Sequence, residues 1–345
     1  MLNLGLLSWL VLLGGIAEAG GLSAQQEQST QYQPALVVKP AVTSTALAGE
    51  LATIAARLDR PTRALGRQDS RPYVSGDTFR TACQHAYDNV APVFYPTKVQ
   101  RGDLVFVKTD YLADFFSKYH AAITQPYILV THNSDDPSPG QFASYLDDPK
   151  LAHWFGTNCD LVHPKFTAIP VGLANRYCKH GNITNLIMLQ RKLPTMTKQQ
   201  LLCMNFVLRT NPVERGRLFA LFTAQPYCKT FIDQNELGVK NFMRYLTDLA
   251  ESCFVLSPHG HGMDCHRTWE ALLVGSYPIV RRSSLDVLYT DLPVVIVNDW
   301  AEIDEPFLVA QQAKLQAGKY QLERLYFKYW DQLLKAVQGQ VRAAV

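Results

Sequence analysis

The sequence predicts an α/β protein with parallel sheets divided between two domains, and three observations carry that expectation. From about Val74 onward, short β-rich runs alternate with helical stretches. The alternation comes as two series, separated by a segment over 176–199 with the character of a linker. The chain has 345 residues, 47% of them hydrophobic, which at roughly 100–200 residues per domain is enough for two full cores.

In chain order, the first 21 residues are almost wholly apolar. Leu4 to Ile16 form an h-region and Ala17-Glu18-Ala19 fits a small-x-small cleavage site, so 1–21 reads as a signal peptide or a short signal-anchor. Residues 22–72 are rich in Gln, Ser, Thr, Ala and Pro without a sustained period, as in a stem or linker. An N-terminal α/β domain is expected over 73–199. It contains DLVFVKT (strand), YLADFFSKYHAAI (helix), PYILVTHNSDD (strand ending in polar residues), QFASYL and PKLAHWFG (short helical pieces) and FTAIPVGL (strand). A second α/β domain over 200–303 opens with LCMNFVLRT (strand) and PVERGRLFALFTA (helix). After a polar excursion it continues with VKNFMRYLTDLAESC (helix), FVLSP (strand), DCHRTWEALLVG (helix), and the strands YPIV and PVVIVN. The tail, 304–345, is mostly helical, with Leu322, Leu325, Tyr326 and Tyr329 at helical spacing.

Composition excludes some classes. A formal net charge of +3, with no basic run and no basic patch interleaved with aromatics, argues against a nucleic-acid partner. The seven cysteines are scattered and show no disulfide framework. Cys203 and Cys253 sit in apolar runs and read as small buried hydrophobes. Asn182-Ile183-Thr184 is a sequon for N-glycosylation, consistent with a luminal route.

The segment SCFVLSPHGHGMDCHRTWEALLVGSYPIV, residues 252–280, carries the chemistry. Phe254–Leu256 is a strand, and Ser257 to Gly262 form a loop in which Gly260 and Gly262 allow close backbone approach to a ligand. Asp264 suits the N-cap and Gly275 the C′ position of a helix from Cys265 to Val274. On a helical wheel Cys265, Trp269, Leu272 and Leu273 share the arc expected to face the core. His266, Arg267 and Glu270 share the other, within about 100°. A strand, a glycine loop and a helix with this polar face match the place where α/β sheets hold phosphorylated ligands. An Arg in the first turn opposes the helix dipole and precedes its Glu in the poorer order, so Arg267 and His266 make most sense beside a bound anion. A diphosphate there would take a bidentate grip from Arg267, with Glu270 accepting from ribose hydroxyls.

FVLSPHGHGMDCHRTWEALLVGSYPIV, followed by PVVIVNDWAEI, resembles the donor-binding region of exostosin-like glycosyltransferases, in the branch with an S-P-x-G-x-G-x-D-C-H-R-x-W-E-A-L core. NFVLRTNPVERGRLF resembles the opening strand and helix of that domain. The resemblance covers roughly 100–335 and is strongest over 203–303. It implies a GT-B arrangement, two Rossmann-like domains facing a cleft, with the donor on the C-terminal domain and the acceptor on the N-terminal one. The implied donor is a nucleotide sugar, a UDP-sugar first among them, with no obligate metal; the implied acceptor is a glycan or glycoprotein. Transfer would proceed with inversion, in the lumen of the Golgi or endoplasmic reticulum, with the N-terminus a possible membrane anchor. His259-Gly260-His261 departs from the pattern, where Arg or Asn is common, which puts local donor contacts in doubt. Carried onto matching positions, Ser257, Gly260, Gly262, His266, Arg267 and Glu270 bind donor, joined by Asn211 and Arg215 at the first strand-to-helix turn. Asn211 also reads as a plain N-cap before Pro212, and Arg281 and Arg282 as an exposed pair.

Inversion needs a general base from the acceptor side. The loop after PYILV offers His132, Asp135 or Asp136, each of which also fits a solvated turn. His153-Trp154-Phe155-Gly156 is a candidate acceptor lining, or core. Two other readings stay open: a secreted metallohydrolase with a His/Cys/Asp metal site over 259–266, and a non-catalytic sugar-binding relative.

Overall fold

The computed structural model describes residues 67–231 and 242–344, all within one contact unit. The segment 1–21 and the stem up to residue 66 lie outside the described residues. The last stem residues are packed rather than loose: Ser70 is fully buried and its amide donates to Thr78 Oγ1 at 2.9 Å.

Two five-stranded sheets, parallel in every pairing, organise the described chain. The first contains β1 (His85–Tyr87), β2 (Leu104–Lys108), β3 (Tyr127–His132), β4 (Leu151–Gly156) and β5 (Phe166–Ala168), in that spatial order. All six residues of β3 are buried, as expected of a strand inside a sheet covered on both faces. PKLAHWFG, expected to be helical, is strand β4: Trp154 and Phe155 are fully buried in the core, and the apolar run fits a buried strand as well as a helix. Around this sheet lie α1 (Gly76–Ala82) and α2 (Leu112–Lys118).

The segment expected to be a linker contains α3 (Ile183–Gln190), capped by Asn182, whose side chain accepts from the Thr184 amide. The second sheet follows, with β6 (Gln200–Met204), α4 (Pro212–Phe222), β7 (Cys228–Thr230), α5 (Phe242–Ala250), β8 (Ser252–Leu256), α6 (His266–Leu273), β9 (Tyr277–Arg281), α7 (Asp286–Tyr289) and β10 (Val295–Val297). Strand β7 lies in what the sequence presents as a polar excursion. The spatial order is β10-β9-β8-β6-β7, so the winding reverses between β6 and β8. In doubly wound sheets such a reversal leaves a crevice outside the carboxyl ends of the two strands.

The tail holds α8 (Glu305–Ala317) and α9 (Phe327–Ala343). Helix α9 returns to the first sheet. Phe327, Trp330 and Leu334, at helical spacing, are buried, and Phe327 meets Phe79 edge-on at 5.2 Å. Gln338 donates to Gln84 at 3.2 Å and Arg342 pairs with Asp103 at 3.2 Å.

Candidate functional site

At the reversal point, the residues after β6 (Asn205–Val207) and after β8 (Gly260, His261, Gly262, Asp264 and Cys265) line a cavity of about 540 Å³ with the first turn of α6. Loops of the first sheet close its other side through Ser134, Asp135, Asn158 and Val171.

Two arginines dominate its interior. Arg215, from α4, is 4% exposed. Its Nε donates to His259 O at 2.8 Å, one terminal nitrogen to Val207 O at 2.8 Å and to Thr210 Oγ1, the other to Pro258 O at 3.4 Å. Arg267, at the second position of α6, donates from Nε to Asn205 O at 2.8 Å, and its buried Nη1 has no partner among the described residues. Both guanidiniums face the Phe206 ring, at 5.4 and 5.3 Å from its centre, a favourable cation–π arrangement. Burial, together with the charge of Arg267, pushes Arg215 down to about 10. Neither arginine forms an ion pair with a carboxylate of the described residues. Two like charges packed together this way are satisfied by an anion, and the amides of the first turn of α6 add to the same potential.

Glu270, one turn along α6, is buried and accepts from Tyr245 of α5 at 2.7 Å. Burial pushes its carboxyl up to about 7, against the opposing pull of the Tyr245 hydrogen bond and Arg267. The N-terminus of α6 differs from the sequence expectation. Cys265 is the N-cap residue, and Asp264 turns away to accept from Trp269 Nε1 at 2.9 Å and from the Val171 amide at 2.8 Å. Cys265 does not join the apolar core. It lines the cavity, and its thiol donates to Pro258 O.

Asn158 ties the two sides together. Its Oδ1 accepts from the Asp264 amide at 2.8 Å while its Nδ2 donates to Ser134 O at 3.2 Å. This brings Asp135 to the α6 loop, where its carboxylate is 3.8 Å from His261 Nδ1. The glycines expected to admit a ligand admit protein instead: a Cβ on Gly260 would lie 3.1 Å from Arg215 Nη2, and one on Gly262 3.1 Å from Asn158 Nδ2.

Of the residues singled out in the sequence, Gly260, Gly262, His266, Arg267, Glu270, Arg215 and Asp135 line the cavity, and so does Thr210. Four do not. Ser257 is buried and hydrogen-bonded to Thr268. Asn211 is the N-cap of α4, accepting from the Glu214 amide. Asp136 is absent from the lining. His132 is buried outside the lining, with Nδ1 accepting from the Asn133 amide and Nε2 against Pro170 O; burial pushes it down to about 4. The aromatic pair Trp154–Phe155 is core rather than acceptor lining. Arg281 pairs with Glu214 and Arg282 with Asp286, outside the cavity. Residues 259–266 do not converge on a point, and no three His, Cys, Asp or Glu side chains among the described residues are placed to hold a metal ion. Phe206, Tyr245, Asn158 and His180 also line the cavity. Phe206 falls within the NFVLRT segment, whereas Tyr245, Asn158 and His180 belong to no site motif and reach the cavity through the fold.

No protein-family model matches the chain, and no curated relative matches it. Among solved structures it is similar to the pneumococcal O-GlcNAc transferase GtfA in complex with UDP and GlcNAc, at TM-score 0.30 and 14% identity over 71% of this chain and 53% of that one. It is also similar to the GtfA/B complex, at TM-score 0.33 and 16% identity over 70% and 59%. The chain thus spans between half and three-fifths of the length of these structures.

Proposed function

We propose that the protein is a glycosyltransferase that moves a sugar from a nucleotide-sugar donor, a UDP-sugar, to a glycan or glycoprotein acceptor. The observation that carries this reading is the pair Arg215 and Arg267: buried, free of carboxylate partners among the described residues, and lining a cavity at the reversal point of a doubly wound sheet, with Arg267 Nη1 left without a partner there. A diphosphate answers that charge, and Glu270, a turn away, offers the acceptor that a ribose needs.

In the proposed reaction the acceptor hydroxyl attacks the anomeric carbon as the bond from that carbon to the diphosphate oxygen breaks. Asp135, from the first-sheet side, takes the hydroxyl proton with His261 beside it. Arg267, Arg215 and the α6 amides stabilise the charge left on the departing diphosphate, in place of a metal. Attack opposite the leaving group inverts the anomeric centre. The two sheets then act as acceptor and donor halves about one cleft, the GT-B plan. A route through the secretory pathway accords with the exposed sequon at Asn182 and with the apolar 1–21 segment, which lies outside the described residues.

Release of UDP from UDP-sugars tests this reading. Asp135→Asn is expected to slow release about 10²–10⁴-fold, the usual contribution of a positioned base, with UDP affinity unchanged. Full activity in that variant would remove Asp135 as the base.

A further inference from the structure

We propose that His266 reads the sugar end of the donor, its ring accepting a hydrogen bond from a hydroxyl of a neutral sugar. This rests on the nucleotide-sugar reading above and adds to it the chemistry of the transferred group.

The ring is held in one tautomer. His266 Nδ1 lies 2.7 Å from Gly172 O, and since a carbonyl cannot donate, Nδ1 carries the proton. Burial pushes the ring down to about 4; His180 and Arg267 act in the same direction, against the Gly172 bond and Asp135. At neutral pH the second nitrogen, Nε2, is therefore a bare lone pair. His266 is partly exposed and lines the cavity, and its Nε2 has no hydrogen-bond partner among the described residues. The anchor is rigid. Gly172 has φ +61°, and a Cβ there would lie 2.3 Å from Val74 O, which also accepts from the Leu173 amide at 2.8 Å. On the other side the Val171 amide is held by Asp264 at 2.8 Å.

Position sets what reaches this nitrogen. At about 1.5 Å rise per residue, Glu270, Arg267 and His266 follow one another toward the N-terminus of α6. Glu270 is fixed from the second-sheet side by Tyr245, and His266 from the first-sheet side by Gly172. A ligand with its ribose at Glu270 and its diphosphate at Arg267 therefore brings its sugar to His266. A bare imidazole nitrogen can accept from a hydroxyl but has nothing to give a carboxylate, so the site suits a neutral sugar rather than a uronic acid.

The test compares the Kd of UDP with those of UDP-glucose, UDP-galactose and UDP-N-acetylglucosamine, by calorimetry on wild type, His266→Asn and His266→Gln. Asn keeps a donor for Gly172 O and removes the acceptor; Gln places an amide near the Nε2 position. In His266→Asn, UDP is expected to bind within twofold of wild type, while the sugar nucleotides that bind wild type weaken about 3–10-fold, as for one neutral hydrogen bond. His266→Gln is expected to recover part of the difference. An unchanged ratio of sugar-nucleotide to UDP affinity, equal losses for both, or UDP binding without any sugar-nucleotide binding would each overturn the inference while leaving the nucleotide site standing. Absence of UDP binding to wild type would overturn the site itself. Should the variants fail to fold, long-range ¹H–¹⁵N spectra of the wild-type imidazoles decide. An unprotonated Nε2 that shifts with the sugar nucleotide and not with UDP is expected; a protonated or unresponsive one contradicts the proposal.

Discussion

Arg215 and Arg267 share one phenyl ring and one cavity, and each is tied down by backbone carbonyls rather than carboxylates. Such a pair raises the folding free energy unless a ligand answers it, so Arg267→Ala should leave the fold intact and weaken UDP binding about 10–100-fold, the loss of a charge-assisted contact. Calorimetry on the variant checks this. Buried His132 makes a prediction of a different kind. Its pKa in the fold, about 4, lies below the ordinary value of 6.5, so the neutral ring's contribution is fully present above pH 6.5 and is lost as pH falls toward 4. His132→Gln should therefore flatten the fall in unfolding free energy between those pH values, by an amount on the order of 1–3 kcal/mol for a shift of this size, read by urea unfolding. Glu270 works in the opposite sense. Raised to about 7, it favours the fold below pH 4.5 and loses that advantage as pH rises through 7.

At the scale of elements, much was legible where local chemistry is decisive. Asn211 before Pro212 marks the start of α4, and Gly275, with φ +74°, closes α6 at the expected C′ position. Gly275→Ala should cost about 1–2 kcal/mol in urea unfolding through left-handed strain alone. What local chemistry does not encode was missed. LAHWFG is as apolar as a buried helix, and its pairing with β3 and β5 makes it a strand. The N-cap of α6 falls to Cys265 because Asp264 has other partners, Val171 from the first-sheet side and Trp269 of α6 itself. The candidate site divided along the same line. The polar face of α6 was readable from helical spacing, whereas Tyr245 and Asn158 reach the cavity only through sheet order. Ser257 and His132 were plausible by position and proved to be satisfied within the fold.

Across the whole molecule, α9 binds the end of the chain back onto the first sheet, so the halves that flank the cavity are joined by more than one segment. Trp330, 2% exposed at the centre of that contact, should cost about 3–5 kcal/mol when cut to Ala, measured by urea unfolding, with UDP affinity retained in the folded fraction. The central claim is that the cavity between the sheets holds a nucleoside diphosphate on Arg215 and Arg267. Thermal unfolding of the protein with increasing UDP tests it most directly, with Arg267→Ala alongside. Wild type is expected to gain about 2.7 kcal/mol at 100 times the dissociation constant, and Arg267→Ala to gain far less at the same UDP concentration. Equal stabilisation of the two proteins, or none of wild type, would contradict the placement of a diphosphate at these arginines.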